Sequence, residues 1–378
     1  MGKNNRITLA LSGYYGFDNS GDEAVLQSIL LALEEQGRAH DLQFDPVVLS
    51  IDPAKTSRAY GVRAVHRMKP GAVFGALREA DGLISGGGSL LQDETSSKTI
   101  PYYLAVLKLA QWLGKPTFVY SQGIGPVHRK MFYPWIRGTF RKCKYISVRD
   151  AESAELLRET GLSGDSIHVV PDPVMGLKLR DGAEPPARAD AGSAGTRLPV
   201  IGVSVRFWNP DRTELDALAE ALTHMLDSQP MELRFLPFHL PSDEVASRHV
   251  IQRMGDKYKQ QITVIPDAFH PQDMLAEVSR CDLLIGMRLH SLIYAAGQYV
   301  PMIGISYDPK IDQFLNRLQM QAAASTKLLH PGTFARHALD LLEARQQWRQ
   351  EKKEAIERLK AEAGEPARRI AFFFKTSG

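Results

Sequence analysis

The first half of the chain alternates short, nearly continuous apolar runs with longer stretches of helical period. ITLALSG leads into GDEAVLQSILLALEEQG, and PVVLSI, DGLISGGG, PTFVYSQG and KYISVRD follow, each closed by a turn or a helix-period segment. Strands alternating with helices are the signature of βαβ units and a mostly parallel sheet. Gly or a polar residue ends most of these runs, at the strand ends where an α/β sheet keeps its ligands.

From Leu177 to Leu198 the periodicity stops in LKLRDGAEPPARADAGSAGTRL, a stretch of Gly, Pro, Ala and charge that reads as a linker. The alternation resumes with PVIGVSVR, MELRFLPF, QITVIP, DLLIG and VPMIGIS, separated by helical segments such as RTELDALAEALTHML. The pattern predicts an α/β chain of two Rossmann-like, doubly wound domains facing a central cleft. Residues 1–176 form the first domain, 177–198 the linker and 199–360 the second domain. Beyond Gly332 the chain turns strongly helical, and Gly364 and Pro366 interrupt that helix before a last amphipathic piece, 361–378, expected to pack back on the first domain.

Composition narrows the class. The 378 residues are 44% hydrophobic and 24% charged, the balance of a soluble globular protein. Cys143 and Cys281 offer no disulfide framework and no zinc-like spacing, which favours a reducing compartment. Met1 to Ala10 lacks the pattern of a secretory leader, and no run approaches the roughly 20 apolar residues that span a bilayer. A cytoplasmic location is expected. A net charge of +3 is too mild for a nucleic-acid partner. One cluster stands out: Arg129 to Lys144, RKMFYPWIRGTFRKCK, mixes cations with Phe132, Tyr133, Trp135 and Phe140. It reads either as an amphipathic helix with its aromatics in the core or as a segment lying against an anionic membrane surface.

The candidate chemistry sits at strand ends. GYYGFDNSGDEAVL follows the first strand and opens a helix, and its glycines and free amides suit an anion or a sugar hydroxyl. Gly86, Gly87 and Gly88 close the next motif and lead into SLLQDETSS, read as a polar loop, while Gln122 to Gly125 repeat the small-residue device. Tight turns account for these glycines as well as a close ligand does. Arg149, Arg206 and Arg288 each follow an apolar run, and a planar, always-charged guanidinium suits phosphate or carboxylate. His290 opens a helix two residues after Arg288, and Lys310 follows the next strand, so one proton shuttle sits among cations.

Together, GYYGFDNSGDEAVL, GGGSLLQD, SQGIGP, YISVRDAESAELL, VVPDPV, GMRLHSLIYAAG and GISYDPKI resemble the polysaccharide pyruvyl transferase family, from about Leu9 to Phe314, with the CsaB-type cell-wall enzymes nearest. The resemblance implies a glycosyltransferase-B-like pair of Rossmann domains with phosphoenolpyruvate as donor and a sugar diol as acceptor. It further implies a 4,6-linked pyruvate ketal on N-acetylmannosamine of a lipid-diphosphate-linked secondary cell-wall polymer precursor, in S-layer anchoring. The expected catalytic residues are His290, Arg149 and Lys310, and the expected donor-binding residues are Arg288, Leu289, Arg206 and Ser291. Acceptor recognition is expected at Tyr14, Asp18, Asn19, Gly87, Gly88 and Asp93, with Asp18 or Asp93 as base for a hydroxyl. The reaction demands neither cofactor nor metal. Two other readings stay open: a nucleotide-sugar glycosyltransferase of the same architecture, and a non-catalytic sugar-phosphate binding protein.

Overall fold

The computed structural model describes residues 5–17, 19–94, 96–180, 197–265 and 270–377. Asp18 and residues 181–196 of the linker stretch lie outside the described residues. The chain divides into two compact units, one of Met1–Leu177 with Leu359–Gly378 and the other of Lys178–Arg358.

In the first unit the strands are β1 (Arg6–Tyr15), β2 (Gln43–Ser50), β3 (Arg63–His66), β4 (Gly82–Gly86), β5 (Ser89–Leu91), β6 (Thr117–Ile124), β7 (Tyr145–Val148) and β8 (Ile167–Val169). They pair in parallel in the order β3-β2-β1-β4-β6-β7-β8, with β5 beside β6. Leu11 of β1 lies opposite Val48 of β2 and Ile84 of β4. β4 and β6 are buried along their whole length, as strands covered on both faces must be, which is why they read as continuous apolar runs. The helix Ser20–His40 is capped by the Asn19 side chain, carries Asp22 and Glu23 in its first turn, and buries Val25, Leu26, Ile29 and Leu33. In the C-terminal segment, Phe373 and Phe374 pack edge-on or tilted against Phe118, with ring centroids 5.3 and 5.9 Å away.

Two details depart from the sequence reading. SLL is not loop but the short strand β5, because Leu90 and Leu91 are buried and Ser89 lies opposite Gly123. β1 runs on through the expected turn to Tyr15, whose buried hydroxyl donates to the Gly86 carbonyl at 3.0 Å.

The second unit repeats the plan with β9 (Val200–Ser204), β10 (Glu232–Phe235), β11 (Ile262–Val264), β12 (Leu283–Gly286), β13 (Met302–Ser306) and β14 (Ala324–Ser325). These strands are also parallel, in the order β11-β10-β9-β12-β13-β14. Val203 of β9 sits opposite Phe235 and Ile285, and a core of Leu218, Leu222, Met225 and Phe334 closes one face. Strand order reverses between β1 and β4 in one unit and between β9 and β12 in the other. The carboxyl ends beside such a reversal are where doubly wound sheets bind ligands.

Candidate functional site

At the reversal of the first unit, Tyr14 is 41% exposed and stacks flat on Phe17, with centroids 3.9 Å apart. The triple glycine faces the helix Ser20–His40: a Cβ on Gly87, which has φ +57°, would meet Val25 Cγ1 at 1.8 Å, and one on Gly88 would meet Asp22 Oδ1 at 2.6 Å. Helix packing therefore demands Gly87 whether or not a ligand approaches. Asn19 spends its side-chain oxygen on the Gly21 N–H, as a helix cap. Asp93 accepts the backbone N–H groups of His128 and Arg129 at 2.8 and 3.0 Å. Burial pushes its pKa up, but those two amides outweigh it and hold the carboxyl below its ordinary value. It anchors a loop.

At the end of β6, Ser121 is a fully buried non-glycine residue at φ +45°, a conformation that stores strain. Neither amide atom of the fully buried Gln122 has a hydrogen-bond partner among the described residues. Arg149, at the end of β7, lies against Gly123, where a Cβ would meet its Nε at 2.9 Å. Its guanidinium donates to Ser89 Oγ at 2.8 Å and pairs with Asp172 at 3.4 Å and Asp150 at 3.6 Å. Arg149 is thus tied into the rim of the first unit, whereas Arg206, Arg288, His290 and Lys310 all belong to the second.

There they stand at the carboxyl ends of three neighbouring strands, β9, β12 and β13. Arg288 is the N-cap residue of the helix Leu289–Gly297, which sets the half-buried His290 in its first turn. The Arg288 guanidinium forms a two-point pair with Asp243, through Nε at 2.9 Å and through Nη2. Asp243 is fully buried and also accepts the N–H groups of Phe238 and His239. The carboxylate fixes the plane of the fork and occupies two of five N–H donors, leaving three for a ligand. Nothing in PSDEVAS announces this role. A proline followed by acidic residues marks a helix start, and the pairing spans 45 residues of chain.

Leu289 is buried, and Ser291 donates its hydroxyl to the Arg288 carbonyl at 2.6 Å. Both shape the turn through the core and the backbone. Arg206 donates to the Tyr307 hydroxyl at 2.9 Å, and its guanidinium lies 4.7 and 5.2 Å from the rings of Tyr307 and Trp208. Lys310 pairs with Asp308, the cap of the helix Pro309–Arg317, at 3.0 Å, with its side chain 35% exposed. Three cations and an imidazole at a helix start thus form a positive rim at the carboxyl end of this sheet. Such a rim can bind a small polyanion and pass a proton. Burial pushes the thiols of Cys143 and Cys281 up to about 12, so neither is a nucleophile at neutral pH.

The paired Rossmann-like units recur in solved structures. A glycosyltransferase from Rickettsia africae superposes with a TM-score of 0.65 over 99% of this chain and 98% of that one, at 11% identity. UDP-GlcNAc 2-epimerase from Neisseria meningitidis gives 0.62 over 95% and 97%, at 11% identity. At such identities the likeness shows the fold. The sequence pattern of the polysaccharide pyruvyl transferase family matches residues 19–309, and the chain belongs to that family of transferases. The amylovoran biosynthesis protein AmsJ of Erwinia amylovora is 22% identical over 262 residues, 66% of this chain and 62% of that relative. The chain thus matches less than two thirds of the length of AmsJ. No helix among the described residues is long and apolar enough to cross a membrane.

Proposed function

We propose that the protein transfers the pyruvyl group of phosphoenolpyruvate to two hydroxyls of a sugar, forming a cyclic ketal and releasing phosphate. The observation that carries this reading is the Arg288–His290 pair just beyond the end of β12, flanked by Arg206 and Lys310 beyond the ends of the adjoining strands β9 and β13, in a chain of the pyruvyl transferase family. Phosphoenolpyruvate bears a phosphate and a carboxylate, and three fixed cations match both. Its C3 methylene accepts a proton from His290, which makes C2 the electrophile. One sugar hydroxyl adds to C2, the C2–O bond to phosphate breaks with the cations stabilising the departing anion, and the second hydroxyl closes the ketal. We further propose Arg149 as a catalytic residue, and the first unit, around Tyr14 and the glycine turn, as the side that recognises the acceptor. For the acceptor we propose a 4,6-diol of N-acetylmannosamine in a lipid-diphosphate-linked cell-wall precursor, in S-layer anchoring. The reaction runs in the cytoplasm without a metal or cofactor.

A lipid-linked acceptor suits a peripheral protein. Phe132, Ile136 and Phe140 of the segment Arg129 to Lys144 are buried, whereas Met131 and Trp135 are 62% and 44% exposed. Lys130, Arg141, Lys142 and Lys144 are exposed and form no ion pair among the described residues. We propose that this face meets anionic lipid.

The test is incubation of purified protein with phosphoenolpyruvate and a synthetic lipid-linked N-acetylmannosamine acceptor, followed by mass and phosphate release. A gain of pyruvate less water with one phosphate supports the reading. Turnover of a nucleotide sugar with nucleotide release would sink it in favour of a glycosyltransferase.

A further inference from the structure

Arg67 follows β3 and is 6% exposed. Nη1 donates to the Gly13 carbonyl at 2.6 Å and Nη2 to the Tyr103 hydroxyl at 3.2 Å, while Nε has no acceptor among the described residues. The guanidinium lies 4.5, 5.3 and 5.4 Å from the rings of Tyr102, Tyr103 and Phe17. A buried charge is expensive unless a counter-charge sits beside it. Other buried charges in the chain have such a partner: Arg149 meets Asp172, Arg288 meets Asp243, and the buried Asp282 meets the exposed Arg197. Among the described residues Arg67 meets no carboxylate. Nor does a phenolate serve, because burial pushes Tyr103 up to about 12 despite the nearby cation. The result is a guanidinium with no counter-charge among the described residues and, with Tyr102 also hydrogen-bonded to it, two of its five N–H donors unassigned, in low-dielectric surroundings that strengthen any pairing it makes. Through Gly13 and Phe17 it is fixed beside the carboxyl end of β1, next to the exposed Tyr14 ring.

We propose that Arg67 is an anion subsite of the first unit, which takes the phosphate or diphosphate of a glycosyl phosphate whose sugar lies against the Tyr14–Phe17 pair. The proposal rests on the reading of this unit as the acceptor side. It adds a charge requirement to that reading: a neutral sugar of the same structure leaves the guanidinium unpaired.

Calorimetric titration of the full chain, without phosphoenolpyruvate, tests it with three probes. These are methyl N-acetylmannosaminide, N-acetylmannosamine 1-phosphate, and the same sugar on farnesyl diphosphate. The expected result is at least about tenfold tighter binding of a phosphorylated probe than of the neutral glycoside, the order for one charge-assisted bidentate contact. Arg67→Gln should remove that preference and leave neutral-glycoside affinity unchanged, while Arg288→Ala retains it. If circular dichroism shows that Arg67→Gln does not fold, Arg67→Lys decides: it keeps the charge, loses the fork and should lose at least threefold of the preference. Stronger binding of the farnesyl probe identifies a lipid-linked source, and stronger binding of the soluble one a free sugar phosphate. A wild type without the preference, or a folded Arg67 variant that keeps it in full, overturns the proposal. Failure of pyruvyl transfer with Arg67-dependent binding intact would separate the two readings.

Discussion

The carboxyl end of the first sheet is lined by glycines, rings and hydroxyls, and that of the second by cations and an imidazole. Beyond the strand ends of each unit, nevertheless, stand an arginine gripped by carboxylate and an arginine held by rings, a tyrosine hydroxyl and a carbonyl. Arg149 and Arg288 are the first kind; Arg67 and Arg206 are the second. Carboxylates fix the direction of a fork but spend part of its charge. Ring-held arginines keep their charge for a ligand. His290 stands at the strand reversal of the second unit, and the proposed function accordingly gives proton transfer to that unit and recognition to the first.

The largest effect should come from removing the feature that separates the units. His290→Ala should cut turnover by about 10²–10⁴-fold, the usual contribution of a positioned acid. Phosphoenolpyruvate affinity should stay near wild type in a titration. Full activity would erase the distinction between the units.

The next tests the grip on Arg288. Asp243→Asn keeps an acceptor for the backbone amides but leaves the guanidinium without its counter-charge. It should cost about 3 kcal/mol of stability in denaturant unfolding. In the population that stays folded, phosphoenolpyruvate binding should weaken about tenfold while His290 chemistry survives, so KM rises more than kcat falls. An unchanged KM would show that the fork needs no fixing.

A smaller effect belongs to the first unit alone. Lys142→Ala should weaken sedimentation with phosphatidylserine-containing vesicles about fivefold at low salt, near the contribution of one surface cation. Zwitterionic vesicles should show no difference. Equal binding to both kinds of vesicle would contradict the electrostatic reading.

The smallest concerns His270 in the second unit. Its ring accepts the Gln272 N–H as cap of the helix Pro271–Ser279, and burial, then Arg180, holds its pKa below 6.5. The folded value is depressed, so this contribution is fully present above about pH 6.5 and fades as pH falls through the folded value. Melting curves of wild type and His270→Asn should diverge above that window by roughly 1 kcal/mol or less and converge below it. Parallel curves at every pH would exclude the cap.

The fold was largely legible because parallel strands buried on both faces leave apolar runs that periodicity finds. β3 escaped notice because RAVH is short and partly exposed, and with it went Arg67, whose meaning depends on rings that come from other parts of the chain. The RLH segment was legible as a charge placed after a strand. Its partner Asp243 was not, because a carboxylate at a helix start looks the same whether it faces solvent or a buried guanidinium. Asn19 and Asp93 were drawn into the candidate site by their motifs, yet both spend their oxygens on backbone amides. The strained Ser121 has no sequence signature, since SQG reads as an ordinary turn.

The central claim is that the second unit protonates phosphoenolpyruvate at C3. Running the reaction in deuterium oxide and reading the ketal methyl by proton and deuterium NMR tests it directly. The account predicts one deuterium in each product methyl group, with phosphate released in equal amount. A ketal whose methyl carries no deuterium, or phosphate release without a ketal, would contradict it.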